Sequence, residues 1–199
     1  MTRSTRFVLL ILAACFCFFL TACSSSGVSI KETELAGFEK SLLKSLSDTH
    51  FLYEVEINSR DAKEWKVQID EYSKGKFVRT PFSSIAPLQD KARPIQFKVA
   101  VVRQVTGKKA ERWTILEYNK DSETASNADI GDVKTDYTSS SSKVVDLPLT
   151  LKEGEQKVIG ALVLSDGNAI TSLGGFEDKA TLKAATNYDK VYLIKAELK

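Results

Sequence analysis

Apolar alternation with a period of two is the feature that most constrains how this chain can fold. Beyond residue 50, apolar side chains occupy every second position in two successive segments: Phe51, Tyr53, Val55 and Ile57, then Trp65, Val67 and Ile69. Successive side chains of a β-strand point to opposite faces, so this pattern predicts strands with one face in a core and the other toward solvent. We therefore expect the core to lie between β-sheets.

Further strands are predicted toward the C-terminus. Residues 95–101 and 113–118 form an antiparallel pair in this interpretation, and residues 158–164 are apolar on both faces, which favours a central strand. Residues 144–151 predict another strand, which Pro148 restricts to an edge or a bulge. Eight or nine short strands predict an antiparallel β-sandwich or barrel, of the immunoglobulin or transthyretin kind, with an open sheet curved around a helix as the second choice.

One helix is expected ahead of these strands. Ser29 and Glu32 have the spacing of a capping box. A stripe of apolar side chains then recurs at helical spacing: Leu35, Phe38, Leu42 and Leu46. We predict that residues 30–47 form one amphipathic helix whose stripe covers a sheet. The alternative is a helix lying on a membrane surface, which is less favoured because its polar face is not predominantly basic.

Two segments stand apart from the predicted strands. Residues 119–143 are polar, with almost no apolar residue to fasten them, and we predict a disordered loop there. Residues 80–94 carry three prolines and three apolar side chains, Phe82, Ile85 and Leu88. These apolar residues must either cap the core or meet a partner, and we take them as the candidate partner-binding residues.

The N-terminus has the composition of an export signal. Residues 2–6 are polar and include Arg3 and Arg6, and residues 7–20 are apolar. This run is shorter than the roughly 20 residues that a spanning helix needs, and it leads into small residues. We therefore expect residues 1–22 to be removed.

The residues at the end of that signal resemble the lipobox of bacterial lipoproteins. Leu20, Thr21, Ala22 and Cys23 match its four positions. The resemblance implies that the Cys23 thiol takes a diacylglycerol and becomes a palmitate-bearing N-terminus, followed by a flexible tether to residue 29 and a single domain at residues 30–199. In that family Ser24, in place of Asp, implies the outer membrane facing the periplasm in a cell with two membranes. In other cells it implies the outer face of the cell membrane.

Charge and cysteine content exclude several function classes for the exported part. Without the signal, 26 basic and 26 acidic residues remain, so the clustered positive charge that nucleic-acid binding requires is not expected. Cys15 and Cys17 leave with the signal and Cys23 is modified, so the domain has no cysteine for a disulfide, a thiolate nucleophile or a metal site.

Residues for catalysis or metal binding are sparse. His50 is the single histidine, and no Gly-x-Ser-x-Gly elbow accompanies it, so we interpret it as a packed junction residue. Asn127, Asp129, Asp132 and Asp136 offer oxygen atoms for calcium without the required loop spacing. We predict no metal, no cofactor and no enzymatic activity.

Aromatic and acidic side chains on the strands leave one alternative open. Four aromatic residues are candidates for stacking on a ligand such as a glycan, although core filling is favoured: Trp65, Trp113, Tyr118 and Tyr192. Glu54 and Glu56 share one face of a strand, which we interpret as its wet side.

These observations favour a membrane-anchored, non-catalytic binding or scaffold module of the bacterial cell envelope, with an envelope protein as its partner. Two alternatives remain: a carrier of an apolar ligand such as a lipid, and a hydrolase that uses scattered carboxylates. Surplus apolar residues on both faces of several strands would indicate the carrier.

Overall fold

A computed structural model describes residues 27–88, 94–167, 170, 176 and 178–199. The predicted export signal, the predicted lipidation site Cys23 and most of the predicted tether lie outside the described residues. The described residues form eleven strands: β1 Val28–Glu32, β2 Thr49–Ile57, β3 Glu64–Ser73, β4 Lys76–Pro87, β5 Ile95–Gly107, β6 Ala110–Asn119, β7 Ser122–Gly131, β8 Ser139–Val144, β9 Leu149–Leu151, β10 Gln156–Ser165 and β11 Lys190–Leu198. Helices α1 and α2 span Gly37–Leu46 and Lys179–Ala185.

The strands form two antiparallel sheets packed face to face. The first sheet has the order β7-β6-β5-β2-β1-β9 and the second has the order β4-β3-β11-β10-β8. Across the described ranges neither sheet closes into a barrel, so the sandwich is confirmed. The predicted pairing of β5 with β6 is also confirmed, with Val101 opposite Ile115.

Large aromatic side chains fill the space between the sheets. Trp65, Trp113 and Tyr192 are fully buried there, which confirms core filling for three of the four aromatic candidates. Tyr53 is buried with them, and its hydroxyl donates a hydrogen bond of 3.0 Å to the carbonyl of Ile159. In this dense interior a polar atom needs a hydrogen-bond partner. The Tyr53 and Tyr192 hydroxyls have one, whereas the Trp65 indole N–H has none among the described residues.

The helix predicted for residues 30–47 is wrong in its first part and in its role. Val28–Glu32 form β1 between β2 and β9, so Ser29 caps no helix and the fold begins two residues before position 30. Strands on both sides of β1 satisfy its backbone hydrogen bonds, and Val28 and Ile30 are buried. These two gains stabilise a strand here more than the helical spacing of the residues stabilises a helix. Helix α1 has no buried residue, so it does not cover a sheet.

The prediction of a disordered loop at residues 119–143 is also wrong, because the segment contains β7 and β8. The Asn119 side-chain oxygen accepts bonds of 2.8 Å from the backbone N–H groups of Asp121 and Ser122, which fixes the turn between β6 and β7. Strand β7 then pairs with β6 along its whole length, and buried Ile130 and Val133 fasten its far end. A strand with few apolar residues can therefore be ordered when its backbone is hydrogen-bonded to a neighbouring strand along its whole length.

Two other segments differ from the sequence interpretation. Residues 80–87 belong to β4, an edge strand that tolerates Pro81 because one side of its backbone has no ladder partner. Residues 144–151 do not form one strand, since β8 and β9 lie in different sheets on either side of Pro148.

A second helix, α2, covers the outer face of the second sheet. Ala161, Val163 and Leu193 are buried on this face, and Leu182 of α2 packs against them. This outer layer explains why residues 158–164 are apolar on both faces. One face meets the sandwich core and the other meets α2.

Candidate functional site

Helix α1 presents its apolar stripe to solvent. Phe38 is 78% exposed, Leu42 is 46% exposed and Leu46 is 57% exposed. At 100° per residue, Lys40 and Lys44 lie on the side opposite these three residues. We call Phe38, Leu42 and Leu46 the apolar stripe of α1, and its orientation is the reverse of an ordinary surface helix.

Lys40 and Lys44 are exposed as well, and the residue of α1 that is partly buried against the domain is Leu43. Burial, followed by the positive charge of Lys40, lowers the pKa of His50 on β2, so the imidazole is neutral at pH 7. The His50 Nδ1 atom lies 3.0 Å from the Ser47 hydroxyl. His50 is thus a partly buried residue at the junction of helix and strand.

Among the described residues, the hydrogen bonds that hold α1 lie at its C-terminal end. The Gln104 side-chain amide donates to the Leu46 carbonyl at 2.5 Å, and the Asp48 carboxylate accepts from the Val105 N–H at 2.6 Å. Ala36, at the N-cap, makes no side-chain capping bond. Isolated helices shorter than about 12–15 residues are marginal in water, so this helix of ten residues gains stability from any surface that covers its apolar stripe.

The N-terminal chain and α1 lie at opposite ends of β2. Val28 pairs with Ile57 at the last residue of β2, whereas α1 precedes its first residue, Thr49. Nine residues of strand place these ends about 27 Å apart at about 3.4 Å per residue. Gly27 is fixed at the far end, since its carbonyl accepts a bond of 2.9 Å from the Asn58 N–H. The first described residue, Gly27, therefore lies at the end of the sheet distant from α1.

A second surface feature is a groove of about 1010 Å³ on the outer face of the first sheet. One row of its side chains crosses four neighbouring strands, with Lys31, Glu54, Lys98 and Tyr118 side by side. The turn at residues 119–122 lines the same groove. Positive and negative side chains alternate along this row, so the groove is polar and close to neutral in charge.

Hydrogen bonds hold several of the polar side chains of this groove in place. Glu56 accepts bonds of 3.0 Å from the Asn58 side chain and 2.8 Å from the Gln96 side chain, and these bonds lower the pKa of the Glu56 carboxyl. Tyr118 is 51% exposed, in contrast to the three buried aromatic candidates. The sequence indicated the outward faces of Glu54 and Glu56, but only strand pairing brings Lys98 and Gln96 beside them.

The three residues predicted to bind a partner do not share one surface. Leu88 is buried at 2% exposure, and Phe82 is half-buried against the core. Ile85 is 54% exposed and lies on the other face of β4. Phe82 and Leu88 therefore cap the core, and Ile85 is the member of this set that a partner can reach.

One of the acidic side chains considered for calcium binding, Asp129 on β7, forms an ion pair. Arg112 binds Asp129 through two bonds of 2.7 and 2.8 Å. Within the described ranges, no three potential metal-ligating side chains come together. The helices in those ranges are also too short or too polar to cross a bilayer.

Comparison with protein-family models matches the YgaN domain over residues 29–198. The chain belongs to the YgaN domain family. The match to the YgaN domain runs from β1 to β11, so it includes both α1 and the groove and begins after Cys23. No match was found among the curated proteins or among the solved structures.

Proposed function

We propose that this YgaN domain is a lipid-anchored, non-catalytic binding module of the bacterial cell envelope, and that an envelope protein docks on the apolar stripe of α1. The observation that carries the proposal is the exposure of Phe38, Leu42 and Leu46 on a short helix that the core does not support. An amphipathic helix that lays such residues into a hydrophobic groove is a common mode of protein recognition.

The direction of the tether supports a partner above the bilayer. Cys23 precedes the fixed residue Gly27 by four positions, which limits its distance from the domain to about 14 Å in an extended chain. Helix α1 lies about 27 Å further along the sheet. A domain anchored through Cys23 can thus present α1 away from the lipid surface.

The packing of the apolar strands favours a docking module over a lipid carrier. The surplus apolar residues on β10 and β11 pack on both sides, against the sandwich core and beneath α2. Their two-sided pattern is therefore explained by the fold itself, without a bound ligand.

The docking role is tested by crosslinking in living cells, followed by identification of the proteins retrieved with the chain. Phe38→Asp combined with Leu42→Asp should abolish retrieval, while the free energy of unfolding changes by less than about 0.5 kcal/mol because both side chains are exposed. Phe77→Asp is the matched control, since Phe77 is 55% exposed on β4. Unchanged retrieval by the double variant would refute docking at α1.

The anchor is tested separately by labelling cells with radioactive palmitate. The wild-type chain should incorporate label and Cys23→Ala should not. If the two proteins label equally, the anchored location is refuted. Loss of membrane association in the α1 variant, with labelling retained, would instead assign the stripe to the bilayer.

A further inference from the structure

The groove on the outer face of the first sheet is independent of α1 and of the anchor. Its floor consists of side chains from β1, β2 and β5, and the turn at residues 119–122 forms one wall. Its volume of about 1010 Å³ is at the upper end of the range typical of ligand sites, about 300–1,000 Å³. An open groove of this size suits an elongated ligand.

The exposed ring of Tyr118 and several hydrogen-bonded polar groups line the groove. Tyr118 is half-exposed there, and its ring offers an apolar face beside a hydroxyl group. Gln96 is oriented by its bond to Glu56, and Asn119 is oriented because its side-chain oxygen accepts two backbone N–H groups. Each amide therefore has one end held by hydrogen bonds in the folded protein.

This combination matches the surface of a sugar. A pyranose ring has C–H groups on its faces, which stack on an aromatic ring, and hydroxyl groups at its rim, which both donate and accept hydrogen bonds. Amide and carboxylate side chains satisfy both halves of such a hydroxyl. We propose that the groove binds a saccharide chain, with Tyr118 as the platform for one sugar ring.

The other classes of ligand fit less well. An extended peptide gains affinity by adding to a free sheet edge, but β2 and β5 in the floor are already paired on both sides. A polyanion requires net positive charge, whereas three lysines in the groove are balanced by three carboxylates: Lys31, Lys98 and Lys120 with Glu54, Glu56 and Asp121. The same charges oppose the insertion of an acyl chain.

The experiment is calorimetric titration of the purified full chain with soluble hexamers of N-acetylglucosamine, glucose and mannose. At least one hexamer should bind with a millimolar or lower Kd. Tyr118→Ala should weaken that binding by roughly three- to tenfold, the effect of losing one stacked ring. Gln96→Ala should weaken it as well, because the variant loses an oriented amide.

Phe77→Ala is the control for this titration. Phe77 has a similar exposed fraction, 55%, but belongs to β4 of the other sheet, so its variant should bind the hexamers as the wild type does. The proposal is overturned if none of the three hexamers binds, or if Tyr118→Ala binds as tightly as Phe77→Ala. Capture of a peptide that depends on Tyr118, without any sugar binding, would likewise overturn it. Phe38→Asp should leave sugar binding unchanged, which separates this result from the docking role of α1.

Discussion

Replacing Arg103 by Met should destabilise the fold strongly, because it leaves a charge buried without its partner. Arg103 on β5 is 4% exposed and Glu111 on β6 is fully buried. The Arg103 Nε atom donates to one Glu111 carboxylate oxygen at 2.7 Å. The hydroxyl of Tyr192 and the indole N–H of Trp113 donate to the other oxygen, so the carboxylate accepts hydrogen bonds from three side chains.

The buried position sets the size of the effect. Burial, with the negative charge of Glu111, raises the pKa of Tyr192 far above its ordinary value, so the tyrosine stays a neutral donor. It therefore cannot replace the positive charge of Arg103. Removing one partner of a buried ion pair typically costs about 3–5 kcal/mol. For a domain of this size, about 2–4 °C of Tm is lost per kcal/mol, so the Tm should fall by roughly 6–20 °C.

The assay is unfolding by heat and by guanidinium chloride, both followed by the fluorescence of the buried Trp65 and Trp113. Arg112→Met is the control, since Arg112 forms a solvent-exposed pair with Asp129 whose loss should change the unfolding midpoint little. Adding Glu111→Gln to Arg103→Met removes the uncompensated charge and should recover part of the loss. The reasoning fails if Arg103→Met unfolds like Arg112→Met, or if the double variant is no more stable than Arg103→Met.

Three further predictions concern other parts of the fold. Phe82→Asp should lower the free energy of unfolding by about 2–4 kcal/mol, and Ile85→Asp should lower it by less than about 0.5 kcal/mol. The reason is that Phe82 packs against the core whereas Ile85 is exposed. Equal losses of stability in thermal unfolding would contradict this. The hydrogen bond from Lys74 is the main cause that lowers the pKa of Asp189 to about 2. Since this pKa is depressed, the carboxylate stabilises the fold fully above pH of about 4 and loses its contribution as the pH falls toward 2. Urea unfolding of Asp189→Asn should show a deficit at pH 7 that disappears near pH 2, and a deficit independent of pH would exclude this origin. Gly160→Ala should cost about 1–3 kcal/mol, because the new Cβ would lie 2.6 Å from the Tyr53 hydroxyl; a neutral effect on Tm would show that the core can relax.

The apolar alternation predicted the sandwich correctly because it is a local property of each strand. Phe51 to Ile57 and Trp65 to Ile69 have their apolar side chains in the core, as the period of two requires. The pairing of β5 with β6 was also predictable, since the two strands are joined by a short turn. Such features depend on neighbours in the sequence and need no knowledge of distant partners.

The errors fall where a distant partner decided the local structure. The helical stripe at Phe38, Leu42 and Leu46 is present as predicted, but its position on the domain turns it outward. Likewise, β7 is polar and forms because β6 offers it a complete backbone ladder. The spacing of apolar residues in a sequence shows neither whether the apolar side of a helix faces the core or solvent, nor which strand is available to pair with a polar segment.

The sequence by itself determined that this chain forms mainly strands with an aromatic core, because apolar alternation and side-chain volume follow directly from the order of the residues. Only the tertiary structure decided which charges meet. Arg103 joins Glu111 and Tyr192 inside the sandwich, while Lys98 and Tyr118 lie beside Glu54 outside it. These neighbours come from different strands. Apolar alternation alone allows several registers of strand pairing, and the cost of burying a charge or a backbone group without a partner selects the native register among them.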